Sequence, residues 1–136
     1  MPLIFRAMTV DGGRPRVGPS ARMLGVRVPD DISPDATGVV RPGTGGMSVA
    51  PAWRDLPAHR IPARLRHLAP DARGKNEDAC WRMGQGPFQA GPLSPDLHLL
   101  PDRPGHGVVE PARSMGLDEF QRALAATRDE WEIEER

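Results

Sequence analysis

"RPGTGGMSVA", residues 41–50, decides between a phosphate-cradling loop that opens a helix and a tight turn that feeds a strand. Gly43, Gly45 and Gly46 let the backbone take positive φ or approach a ligand closely, and Pro42 fixes the entry, although neither property requires a ligand. A P-loop needs a Lys and then a Ser or Thr after its second glycine, at the start of a helix. Here Met47-Ser48-Val49-Ala50 follows and Pro51 closes the run, which excludes the P-loop. The stretch reads as a turn into a short strand, with Met47 and Val49 on one face and Ser48 on the other.

Upstream, "LIFRAMTV" (3–10) is rich in strand formers and breaks at Asp11-Gly12-Gly13, so it predicts a first strand. Alternation sets Ile4, Arg6 and Met8 on one face and Leu3, Phe5 and Ala7 on the other. An Arg in an apolar row has two readings: an edge-strand residue snorkelling to water, or a cation placed for a site. Further short strands are expected at "LGVRV" from Leu24, "CWRM" from Cys80, "LHLLPD" from Leu97 and "GHGVVEP" from Gly105. Residues 12–20, 29–43 and "GPFQAGPLSPDL" read as loops. "WRDLPAHRIPARLRHLA" holds at most one or two helical turns because Pro57 and Pro62 interrupt it, and "DARGKNEDA" reads as exposed, with Glu77 and Asp78 solvated. One helix is expected, from Leu117 to about Trp131, where Leu117, Phe120, Leu124 and Trp131 recur at helical steps. Asp118 and Glu119 suit its positive end, and Arg128 suits its last turns. The pattern predicts an α+β fold: a single domain over 1–136 with short-stranded mixed sheets, long loops, one C-terminal helix and an acidic tail at 132–136.

Eighteen basic and eighteen acidic residues give a formal net charge of zero, which argues against nucleic acid or an anionic membrane as a partner. Lys75 is the single lysine among the basic residues; a coding bias explains the Arg preference, although Arg also suits bidentate contacts with phosphate. No apolar run approaches the ~20 residues of a membrane span, and "MPLIFRAMTV" has neither the basic start nor the length of a secretory signal, so a cytoplasmic location is expected. Cys80 is the only cysteine, and with four scattered His it offers no metal-ligand spacing. Beside Trp81 it reads as a small buried apolar residue.

Three pieces in order, "FRA" in the first strand, "TGGMSV", and "GHGVVEPARSM" leading into a helix that ends in Trp, resemble the type VI secretion effector toxins with an ADP-ribosyltransferase-like fold, small members of which occur as free-standing bacterial chains. The resemblance covers 3–8, 43–49 and roughly 92–131, and leaves 51–82 unmatched. It implies an NAD-consuming transferase with an Arg on the first strand, a hydroxyl on a central strand and a later carboxylate. Cleavage between nicotinamide and ribose develops oxocarbenium character, which a carboxylate stabilises while fixed donors hold the remainder of NAD. By this resemblance Arg6 would fork onto phosphate or ribose, Thr44, Gly45 and Gly46 would admit NAD closely, and Ser48 would orient the carboxylate. His106 and Glu110, on one strand face by alternation, would serve as donor and carboxylate. Two departures stand out: Met47 replaces an expected second hydroxyl, and no Tyr is present to stack on nicotinamide, so Phe88, Trp53 or Trp81 must replace it. The resemblance further implies an immunity or antitoxin protein as partner. The alternative is a catalytically inactive domain of the same fold that binds a protein through the terminal helix or the acidic tail.

Overall fold

Strand β1 (Ile4–Asp11) is the hub of the molecule, a computed structural model that describes residues 1–135. In chain order there follow β2 (Arg14–Pro15), β3 (Val39–Val40), β4 (Met47–Val49), β5 (Asp78–Met83), β6 (Gly91–Ser94), β7 (Leu97–Arg103), β8 (His106–Pro111), β9 (Met115–Gly116), α1 (Leu117–Ala125) and β10 (Glu132–Ile133). One sheet has the order β10-β5-β1-β2, a second has the order β4-β8-β7-β6, and β3 pairs with β9. The result is a single α+β domain. Every strand ladder is antiparallel, where mixed sheets were expected; parallel pairing is confined to isolated bridges such as Val17 with Leu24. Short hairpins close the β1–β2, β6–β7 and β7–β8 ladders, whereas β1–β5, β4–β8, β3–β9 and β5–β10 join strands far apart in sequence.

The backbones of the two larger sheets are joined by the bridge between Phe5 and Ala50. Phe5 donates its N–H to the Ala50 carbonyl at 2.8 Å, and Ala50 returns the bond at 2.9 Å. Further along the same edge of β1, the Thr9 N–H donates to the Arg22 carbonyl at 2.7 Å. Residues 5, 7 and 9 share that edge by the two-residue period, so the ladder is taken at both ends and opens at Ala7 between them. Arg6 spans the gap with its side chain: Nη1 donates to the Ser48 carbonyl at 2.8 Å. The two sheets thus splay from the Phe5–Ala50 seam, and a cleft lies between them.

Both faces of the first sheet are covered, because β1 and β5 alternate apolar residues on each side. The larger core gathers Ile4, Met8 and Trp81 with Val49, Leu99, Val109, Phe120 and Trp131. The smaller one sets Phe5 and Cys80 against Trp53, Ile61 and Leu65, so the proline-interrupted segment with its two 3-10 turns (Trp53–Asp55 and Ala63–Leu65) forms a lid over that face. Burial places Cys80 as an inert apolar residue and pushes its thiol up to about 12, assisted by the Glu135 charge.

Several local expectations give way to side-chain hydrogen bonds. The helix stops at Ala125, short of Trp131. Thr127 Oγ1 donates to the Leu124 carbonyl at 2.7 Å and accepts from Trp131 Nε1 at 3.0 Å, which turns the chain out of the helix while burying the indole. Arg128 leaves the helix end and donates to the Pro15 and Asp11 carbonyls at 3.0 and 2.7 Å, tying down the β1–β2 hairpin. "LGVRV" forms no strand ladder, since the Gln121 side chain of α1 takes the place of a neighbouring strand: Oε1 accepts from the Val26 N–H and Nε2 donates to its carbonyl. "GPLS", read as loop, is edge strand β6, where Pro92 lacks an N–H at little cost. The acidic tail begins as β10 on β5; Arg136 lies outside the described residues.

Candidate functional site

Arg6 is 5% exposed, so the edge-strand snorkelling reading fails. Its Nε and Nη2 donate to the Met23 carbonyl at 3.2 and 2.9 Å, Nη2 donates also to the Ser20 carbonyl at 3.2 Å, and Nη1 donates to Ser48. A guanidinium has five N–H donors, so one on Nη1 remains uncommitted among the described residues. Among the described residues no carboxylate contacts this cation. Burial lowers the guanidinium to about 10, with Asp31 opposing the shift and the Arg60 and Arg27 charges adding to it. It remains a cation at neutral pH, desolvated, with carbonyl dipoles as its direct partners and Asp31 as the nearby counter-charge.

Arg6 lines a cavity of about 230 Å³ in the cleft between the sheets. Ser48 lines it from β4 and His106 from the start of β8. Ser48 pairs with Val108 across the ladder, which puts the Ser48 and His106 side chains on one sheet face as diagonal neighbours. The Ser48 side chain is exposed toward this space, so its hydroxyl has no need of a buried partner. Arg27, Arg60 and Arg103 bring three further cations, and Asp31 and Asp55 bring two carboxylates.

These charges are committed to different degrees. Asp31 accepts from Arg27 at its backbone N–H (2.7 Å), Nε (3.1 Å) and Nη2 (3.0 Å). Burial pushes Asp31 upward, but the Arg27 hydrogen bonds outweigh it and hold the carboxyl below its ordinary range. Arg60 has no ion pair or side-chain hydrogen bond among the described residues, and Asp55 has none to its carboxylate. Arg103 stands 3.7 Å from Asp102 and is largely exposed. The Asp55 side chain packs on the tip of the β7–β8 hairpin, 3.6 Å from where a Cβ on Gly105 would lie, beside His106. That tip is a Pro104-Gly105 turn, with Gly105 at φ +74° as a type II turn requires. The turn brings Asp102 against His106, with Nδ1 of the ring 2.6 Å from Asp102 Oδ1.

The remaining expected residues lie elsewhere. Glu110 is 5% exposed and lies outside the cavity. Its Oε1 accepts from the Gly43 N–H at 2.9 Å, and Oε2 lies 3.4 Å from His98 Nδ1, so it anchors the 41–46 turn from beneath. Thr44 Oγ1 closes the same turn on Arg41, accepting its N–H at 3.2 Å and donating to its carbonyl at 2.7 Å. The glycines serve internal packing: a Cβ on Gly45 would lie 2.2 Å from the Asp31 carbonyl oxygen, and one on Gly46 would lie 2.2 Å from that of Val109. None of the three lines the cavity. Phe88 packs on Gly107, which faces away from His106 along β8, and so sits across the sheet from the cleft. Asp78, expected in solvent, is buried and accepts from Thr9 Oγ1 (2.8 Å), Arg22 Nε (2.9 Å) and Arg22 Nη2 (2.8 Å). Sequence reading missed Asp55, Arg60, Asp102 and Arg103. The "DRPGH" run carried a readable signal, since a Pro-Gly turn sets its flanking residues against each other. Arg60 carried none.

No protein-family model, curated protein or solved structure matches this chain. Among the described residues no helix is long and apolar enough to cross a membrane, and no cluster of three His, Cys, Asp or Glu could hold a metal ion.

Proposed function

We propose that the cleft between the sheets takes the phosphate-bearing end of a nucleotide, NAD in particular, and that the chain is a toxin-type ADP-ribosyltransferase-like enzyme. The observation that carries the reading is the buried Arg6, in contact with no carboxylate among the described residues, on the wall of a cavity that also holds Arg60, likewise without an ion pair among them, and the exposed Arg103. Cations so placed are matched by phosphate oxygens, which accept the forked N–H donors of guanidinium groups. The order of Arg on the first strand and Ser on the joining strand agrees with the resemblance described above. A volume of about 230 Å³ falls below the usual 300–1,000 Å³ of a site that encloses a drug-sized ligand. One end of a dinucleotide therefore enters, and the other lies along the exposed Arg103 side.

The carboxylate that such a reaction needs is Asp55 and not Glu110. Asp31 is engaged by Arg27 and Asp102 by His106, whereas Asp55 lines the cavity with its carboxylate uncommitted. A carboxylate there steadies positive charge developing on the ribose as the nicotinamide bond lengthens. Nicotinamide release from NAD, followed by proton NMR, tests the reading. Wild type should release it, and Asp55→Asn should slow release by about a hundredfold, the usual scale for a positioned acid–base or electrostatic group, with an unchanged melting temperature. Equal rates in the two proteins would remove Asp55 from the mechanism, and no release at all would remove the transferase reading.

A further inference from the structure

We propose that Asp102 fixes His106 in its Nδ1–H form and so holds Nε2 as the proton acceptor of the cavity, with Asp102 as a positioning residue. The pair meets at 2.6 Å, and an ionised carboxylate only accepts, so the shared proton sits on Nδ1. His106 lines the cavity and Asp102 does not, and with Nδ1 committed to Asp102 the ring nitrogen left to serve the cavity is Nε2. Among the described residues Nε2 has no hydrogen-bond partner. The contact is not needed to close the hairpin, because the Pro104-Gly105 turn and the backbone ladder from Leu97–Pro111 to Arg103–His106 already do so.

The reaction assigned to the pair rests on the NAD reading above. The O–H bond of the acceptor, water or a hydroxyl group, breaks and its proton passes to Nε2. The new bond joins that oxygen to the ribose carbon C1′, and the C1′–N bond breaks with its electron pair leaving on nicotinamide, which becomes neutral. Asp102 stabilises the imidazolium until its proton returns to water. This gives His106 the role of base, in place of the donor role that the resemblance implies.

The pair can be tested apart from the reaction. In protein labelled with ¹⁵N-histidine, multiple-bond ¹⁵N–¹H spectra report which ring nitrogen carries the proton, and His→Gln variants assign the four histidines. Wild-type His106 should show Nδ1–H with a bare Nε2. Asp102→Ala should shift it toward the Nε2–H form and leave His59, His67 and His98 unmoved. Wild-type His106 protonated on Nε2, or a tautomer indifferent to Asp102→Ala, would overturn the proposal. In NAD turnover, Asp102→Ala and His106→Gln should each lower kcat by about a hundredfold with KM within about a factor of two, and the double variant should lose no more than either single one. Independent, multiplying losses would overturn the positioning role, as would an unchanged kcat. The expected tautomer in a protein that leaves NAD intact would uphold the pair and sink only the NAD reading.

Discussion

Arg6 of β1 and Asp78 of its partner strand β5 are both buried charges, and they are balanced in opposite ways. Asp78, 2% exposed, receives two N–H groups from Arg22 and the hydroxyl of Thr9, so its charge is met by an opposite charge and the cluster is closed. Arg6 is buried almost as deeply but its N–H groups meet only carbonyl oxygens, with a cavity in front of it that holds the exposed Arg103 and an Arg60 without an ion pair among the described residues. A closed ion pair ends the electrostatic demand of its surroundings. Four arginines against two carboxylates, one of them already engaged by Arg27, leave a demand that an anionic ligand can satisfy. The first arrangement holds the fold, and the second is where the proposed ligand would bind.

The largest effect expected from this contrast is on the closed side. Arg22→Met leaves Asp78 buried with Thr9 alone and should lower unfolding free energy by about 3–5 kcal/mol, measured by urea denaturation. A loss under about 1 kcal/mol would show that the Arg22–Asp78 cluster is not what closes this end of β1. Arg6→Met should cost less, about 2 kcal/mol, because the unmet carbonyls of Ser20, Met23 and Ser48 are offset by removal of a desolvated cation. A cost equal to that of Arg22→Met would erase the distinction between the two charges. Inorganic pyrophosphate sharpens it further: at ten times a dissociation constant of about 1 mM it should stabilise wild type by about 1.4 kcal/mol, and Arg22→Met by the same amount. Arg60→Ala should lose most of that gain. Ser48→Ala should shift stability by no more than about 0.5 kcal/mol, since its exposed hydroxyl has no bonded partner and the carbonyl that holds Arg6 is untouched.

Particular residues show how much of this was legible beforehand. Alternation in "LIFRAMTV" and "GHGVVEP" gave β1 and β8, and with them Arg6 and His106, because a two-residue period reports which face a side chain takes. The same period put Glu110 on the His106 face but could not reveal that the 41–46 turn folds over that end of β8 and takes its carboxylate. The helix was overextended because Trp131 keeps the helical spacing from Leu124, while Thr127, which ends the helix, acts through a hydroxyl that periodicity does not register. "LGVRV" has strand composition, yet its backbone is served by a side chain from 95 residues away. Arg60 and Asp55 enter the cavity from a proline-rich segment with no period at all, so only the packing of that segment over β1 and the β7–β8 hairpin brings them in.

The central claim is that the cations of the cleft await a phosphate-bearing ligand, and calorimetric titration with NAD at low ionic strength tests it most directly. Wild type should give saturable heat with a dissociation constant in the millimolar range or tighter, and Arg60→Ala should weaken binding about tenfold, or 1.4 kcal/mol. No saturable heat from folded wild type at millimolar NAD, or identical binding by Arg60→Ala, would contradict it.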